Sequence, residues 1–141
     1  MMVHTDKPTD LRTIDVPIYT DKRGSLLAVE NSPECIPFDP VRIFYLLDVP
    51  PGSQRACHAA SCELFILALA GEARLTNIHR QAGAREWLLN SRTSGLYIPA
   101  YRYIELSDFG EDTVIAVCAS KSMQHTRHYS LKEMQERWQA P

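Results

Sequence analysis

The 141-residue sequence lacks any apolar run of the eighteen or more residues that a bilayer-spanning helix needs. Its first ten residues, MMVHTDKPTD, hold no apolar stretch of the kind that directs secretion. An excess of one charge is missing as well. Fifteen Lys and Arg stand against seventeen Asp and Glu, for a net charge of −2, so there is no basic footprint for nucleic acid. Cysteine is sparse, and Cys35, Cys57, Cys62 and Cys118 include no C-x-x-C pair, which argues against a disulfide scaffold or a zinc knuckle and leaves free, mostly buried thiols. These absences lead to the expectation of a cytoplasmic protein that binds neither nucleic acid nor membrane. At 45% hydrophobic and 23% charged residues, the chain has enough material for one ordinary core, so residues 1–141 read as a single domain.

What is present is a series of short β-branched and aliphatic runs punctuated by Gly, Pro and Asp, the pattern of an all-β sandwich or barrel. RIFYLLDV (42–49) stops at PPGS, and ELFILALA (63–70) is apolar at both alternating sets of positions, as expected of a strand buried on both faces. Gly71-Glu72 then reads as a hairpin turn into ARLTNIH (73–79). REWLLN, GLYIP, YIELSDF and DTVIAVCAS continue the series, for seven strands or more. Ser130-Leu131-Lys132-Glu133 is a capping box, and Leu131, Met134 and Trp138 fall at i, i+3 and i+7, predicting one helix over 130–139 that docks by that stripe. Residues 1–12, polar and containing proline, read as a loose arm or an edge strand added to a partner's sheet.

Six segments in register resemble the cupin-type 3,4-ketoisomerases that act on nucleotide-linked 4-keto-6-deoxy sugars. They are DKRGSLLAVE (21–30), IPF (36–38), VRIFYLLDV (41–49), the Arg-x-x-His of RACH (55–58), GLYIP (95–99) and DTVIAVCAS (112–120). The resemblance implies an all-β cupin jelly-roll barrel with one short C-terminal helix, a homodimer, and thymidine-diphosphate sugars as substrates. It also implies a His-x-His pair after the arginine, two imidazoles that carry protons over the sugar. Here the first maps to His58 and the second to Ala60, with a one-residue deletion near Ser61 or Cys62. A further family histidine, in an aromatic-His-Glu segment, falls on Ile104 of Tyr103-Ile104-Glu105. Of the ligands of metal-binding cupins only His58 and Glu63 remain, which predicts no metal and no other cofactor.

A ketoisomerase needs a base of near-neutral pKa and donors for an oxyanion, tasks suited to His and to Arg or Tyr. His58 is the candidate base. By strand alternation it shares a face with Ala56 and Ala60, small neighbours that leave room for a sugar; the alternative is a hydrogen-bonded core histidine. Arg42 and Arg55 are the candidate diphosphate contacts, because a guanidinium matches phosphate geometry. Arg42 interrupts an apolar strand, where it faces either a pocket or a salt bridge to Asp48 or Glu30. Arg23 is a third candidate, with a solvated turn arginine as its simpler reading. Phe44 and Tyr45 point to opposite faces, so one at most stacks on a base. Tyr97 and Tyr103 offer hydroxyls to the substrate, or pack. His125 and His128 lie in a polar stretch and read as surface residues. The expected activity is proton transfer on a TDP-linked 4-keto-6-deoxy sugar through an enediol; with histidines absent at 60 and 104, binding of a nucleotide sugar without turnover, or a cupin interaction module, are the alternatives.

Overall fold

The computed structural model describes residues 7–81 and 83–140. Two antiparallel five-stranded sheets face each other. The first runs in the order β1 (Arg12–Asp15), β9 (Ser94–Ile98), β6 (Leu64–Ala70), β11 (Val114–Ala119), β4 (Arg42–Leu46). The second runs β12 (His128–Tyr129), β5 (Arg55–Ala60), β10 (Tyr103–Ser107), β7 (Ala73–His79), β8 (Gly83–Leu89). A separate hairpin joins β2 (Ile18–Asp21) to β3 (Gly24–Leu27). Consecutive strands keep crossing from one sheet to the other, which is the jelly-roll arrangement. The helix α1 (Leu131–Gln139) follows β12.

Each strand's alternation divides its residues between an inner face and an outer one. The inner faces supply the main core, where Leu75 and Ile115 are fully buried together with Ile66, Leu96, Ile98, Ile104 and Val117. The outer face of β6 and β9 is roofed by the segment at 35–38, so that Phe65, Leu67 and Tyr97 pack against Cys35, Ile36 and Phe38. This roof is why LFILA (64–68) is apolar at every position: that part of β6 is covered on both faces. On the outside of the second sheet, α1 sets Met134 against Ala59, Tyr103 and Tyr129, with Leu131 and Trp138 alongside. The capping box forms as expected, Ser130 Oγ accepting from Glu133 N and the Glu133 carboxylate accepting from Ser130 N.

Gly71-Glu72 is not the turn of a hairpin. β6 pairs with β9 and β11, and β7 with β8 and β10, so the chain at Gly71 turns a corner between sheets. Gly71 has φ +71° and lies against Thr113; a Cβ there would come within 2.3 Å of Thr113 Oγ1. A side chain is excluded by both conformation and space. Residues 7–11 are tied to the barrel. Lys7 pairs with Glu63 at 3.1 Å, and the Asp10 carboxylate accepts from Arg85 and Arg102 at 2.7–2.9 Å. β1 follows as an edge strand of the chain's own sheet, while residues 1–6 of the expected arm lie outside the described residues. No helix among the described residues is long and apolar enough to cross a membrane.

Candidate functional site

The cleft lies where the free edge of β4 faces β5 and β12 across the mouth of the barrel. Its volume is about 420 Å³, and Arg42, Phe44, Arg55, His58, Met123 and His128 stand on its wall. Beneath it is a smaller apolar recess of about 90 Å³ between the sheets, where Ala56 and His58 meet Phe44, Ile66, Ile104 and Val117. A ligand with a hydrophobic or weakly polar body and an anionic tail fits this division of a dry floor and a cationic rim.

β5 aims His58 through a bulge. Ile104 pairs with His58 and Glu105 with Ala56, so Cys57 is an extra residue on β5. Ala56 and Cys57 have φ of 67° and 54°, a conformation that costs a non-glycine residue on the order of 1 kcal/mol or more and is concentrated at functional sites. The bulge breaks the alternation of β5, so that Arg55 and His58, three residues apart, both reach the same cleft. His58 Nδ1 is buried and has no hydrogen-bond partner in the protein. Histidines retained for packing have their buried nitrogens paired as a rule; here the nitrogen is unpaired, on a residue that lines the cleft. Burial, and secondarily the neighbouring His128, lower the pKa of His58 below the ordinary imidazole value of 6.5, against a smaller opposing backbone interaction. The ring is therefore neutral, and able to accept a proton, at pH 7.

Arg42 comes from the inner face of β4, and neither Asp48 nor Glu30 pairs with it. Among the described residues its polar contact is Nη1 to Met123 Sδ at 3.3 Å, its guanidinium lies 5.0 Å from the centre of the Phe44 ring, and its buried Nε has no partner. Arg55 is exposed at the rim of the same cleft. Arg42, Arg55, Phe44 and His58 are thus brought together. Phe44 is covered by Arg42 on one face, and Tyr45 points outward and is exposed.

Three expected residues are elsewhere. Arg23 sits on the β2–β3 hairpin, where its guanidinium is bound to Asp21 at 2.6 Å. Tyr97 is only 2% exposed, on the outer face of β9, and donates to Glu63 Oε2 at 2.6 Å. Tyr103 is 4% exposed beneath α1 and donates to Glu105 Oε2 at 2.9 Å. Burial first, then the adjacent carboxylate, pushes both phenol pKa values well above their usual 10. Each tyrosine points away from the cleft because its neighbours, Leu96 and Ile98 for one and Ile104 for the other, take the inner face.

His128 was not selected from the sequence. It is exposed, as a surface residue should be, but β12 pairs with the end of β5 in the register His128 to Ala60 and Tyr129 to Ala59. Its ring stands 4.4 Å from that of His58, at 61°. Among the described residues no three His, Cys, Asp or Glu side chains converge to hold a metal ion. Cys57 turns toward Gln54 and the backbone of Arg55, and burial, with Glu105 second, raises its thiol pKa.

A two-sheet antiparallel jelly roll with an arginine-rimmed cleft at one end and two neighbouring imidazoles on its wall defines a cupin-type barrel. The family model FdtA: WxcM-like, C-terminal, matches residues 9–136, and the chain belongs to that family. It is 34% identical over 105 residues, 71% of each chain, to TDP-4-oxo-6-deoxy-alpha-D-glucose-3,4-oxoisomerase of Aneurinibacillus thermoaerophilus. In fold it is similar to QdtA, a sugar 3,4-ketoisomerase from Thermoanaerobacterium thermosaccharolyticum solved with TDP, with a TM-score of 0.81, 23% identity, and coverage of 92% of this chain and 94% of that one. WlaRA, a TDP-fucose-3,4-ketoisomerase from Campylobacter jejuni, gives a TM-score of 0.80 at 23% identity, covering 92% and 96%.

Proposed function

We propose that this protein is a 3,4-ketoisomerase of a TDP-linked 4-keto-6-deoxy sugar, with His58 as the base. The observation that carries this reading is the unpaired, neutral His58 in a cleft whose other walls hold Arg42 and Arg55, in a chain of this family. His58 takes the proton from C3, which is acidic because the C4 carbonyl stabilises the resulting enediolate. The two guanidiniums hold the diphosphate and orient the sugar over the recess. No redox change occurs, so the reaction calls for no electron carrier. The four free cysteines suit the reducing cytoplasm, where nucleotide sugars are made.

A homodimer belongs to this reading. ELFILALA leaves no free edge to cover, since β6 is flanked on both sides by β9 and β11. The apolar edge is β4, one of the sheet ends, along which Val41, Ile43, Tyr45 and Leu47 are exposed, and a second copy of the chain would cover it. Sedimentation at micromolar concentration should give twice the chain mass; a monomer would remove this part of the proposal.

The activity is tested by incubating the protein with TDP-4-keto-6-deoxyglucose and following the sugar by proton NMR. The 3-keto isomer should accumulate, and calorimetry should show TDP binding that weakens with salt. Binding of TDP with no isomer formed would instead mark a nucleotide-sugar binding protein.

A further inference from the structure

The strand position at which the family resemblance places a second imidazole is Ala60, and the space above that methyl is filled from another strand. Directly opposed residues of an antiparallel pair put their side chains on the same face of the sheet. His128 is opposed to Ala60, and His58 lies two residues along β5 on that face. The His128 imidazole therefore reaches across Ala60 to the His58 ring, with centroids 4.4 Å apart.

This placement is fixed from both ends. Ser61 N donates to Arg127 O at 2.9 Å, and Arg127 N donates to Ser61 Oγ at 2.8 Å, immediately before His128. Immediately after it, Tyr129 is buried, and Ser130 caps the helix that Met134 anchors to the outside of the sheet. A histidine carried only for solubility requires no such fixing.

We infer that His128 is the second proton carrier of this site: His58 removes the proton from C3 of the keto sugar and His128 delivers one to C4. The inference rests on the ketoisomerase reading above. In the first half of the reaction the C3–H bond breaks toward His58, its electron pair forms the C3–C4 double bond, and the C4 carbonyl pair moves onto oxygen. In the second half the C3 hydroxyl gives up its proton as the C3 carbonyl forms, the C4 oxygen gains one, and C4 takes its new proton from the imidazolium of His128. The cycle closes when the proton held by His58 returns to His128, across the ring contact or through solvent. The two environments suit these roles. The deeper ring is held neutral and can receive, whereas the outer ring is open to solvent and can reload.

The test uses the full-length protein in deuterated water with TDP-4-keto-6-deoxyglucose. His128→Asn, at an exposed position, should keep TDP affinity within about two-fold and lose isomer formation by roughly 10²- to 10⁴-fold, the contribution of one general acid or base. Deuterium should still enter C3 of the recovered substrate, because His58 is intact. Moving the imidazole to β5 in the double variant Ala60→His, His128→Ala should restore isomer formation at least ten-fold over His128→Asn. Turnover unchanged in His128→Asn would overturn the inference and leave the ketoisomerase reading standing. Loss of C3 exchange in parallel with turnover, with TDP still bound, would overturn it too, since a proton donor to C4 is not needed for that exchange. A parent that forms no isomer and exchanges no proton would bring down the ketoisomerase reading itself, and this inference with it.

Discussion

Replacing Arg42 with methionine should make the unliganded protein more stable and shrink the stabilisation that TDP adds. The guanidinium is half-buried with no carboxylate partner, and its Nε is buried without a hydrogen bond. A buried polar group left unsatisfied costs about 1–3 kcal/mol. Against this stands the stacking on Phe44, worth about 0.5–1 kcal/mol at a partly exposed site. Methionine keeps the length and apolar body of the side chain, so Arg42→Met should gain about 0.5–2 kcal/mol. At roughly 3–5 °C per kcal/mol for a chain of this size, the melting temperature should rise by several degrees. TDP works against this gain. A charge-assisted hydrogen bond contributes about 1.5–3 kcal/mol, so the variant should bind TDP about 10- to 150-fold more weakly. At a concentration 100 times the parent's Kd, TDP adds about 2.7 kcal/mol to the parent and about 0.3–1.4 kcal/mol to the variant. Thermal melts with and without TDP measure both effects. An Arg42→Met protein that melts below the parent without ligand would refute the reasoning, because it would show that the guanidinium supports the fold.

Asp10→Asn should cost about 1 kcal/mol in denaturant melts, a modest figure because its pairs with Arg85 and Arg102 are half-exposed. Those arginines hold the Asp10 pKa well below its usual 3.8, so the stabilisation is complete above about pH 4 and disappears as pH falls further; the variant's stability should change less with pH between 5 and 2. Tyr97→Phe and Tyr103→Phe should each lower stability by about 1–2 kcal/mol while leaving TDP affinity unchanged, since both hydroxyls bind carboxylates outside the cleft; a loss of affinity on calorimetry would put them back in the site. The acid limb of kcat/KM should have its midpoint below 6.5, because burial disfavours the charged form of His58. A midpoint above 6.5 in the parent would contradict the buried, neutral base.

The features legible in the sequence were those fixed by local pattern. ARLTNIH became β7 residue for residue, and the capping box at Ser130 became the start of α1. Alternation on β4 puts Arg42 and Phe44 on the inner face, whereas Arg55 joins His58 only through the bulge at Cys57, which no sequence pattern announced. The pattern fails where both faces are apolar. Tyr97 lies between Leu96 and Ile98, and nothing local says which face is roofed by residues 35–38. Gly71-Glu72 has the composition of a hairpin turn, yet the partners of β6 and β7 are set by strands distant in sequence. His128 is the extreme case, since a two-residue strand has no periodicity and is located by its bonds to Ser61 and its register on β5. The signal available was a histidine-tyrosine pair just ahead of a capped helix, which fixes where the chain must pass but not what it passes.

The most direct measurement is proton exchange in deuterated water by the parent and by His58→Asn, with TDP-4-keto-6-deoxyglucose as substrate and TDP affinity as the control. The parent should carry solvent deuterium into C3 of recovered substrate and C4 of the isomer, and His58→Asn should bind TDP within about two-fold while losing both. Exchange at C3 that continues at the parental rate in His58→Asn would contradict the account.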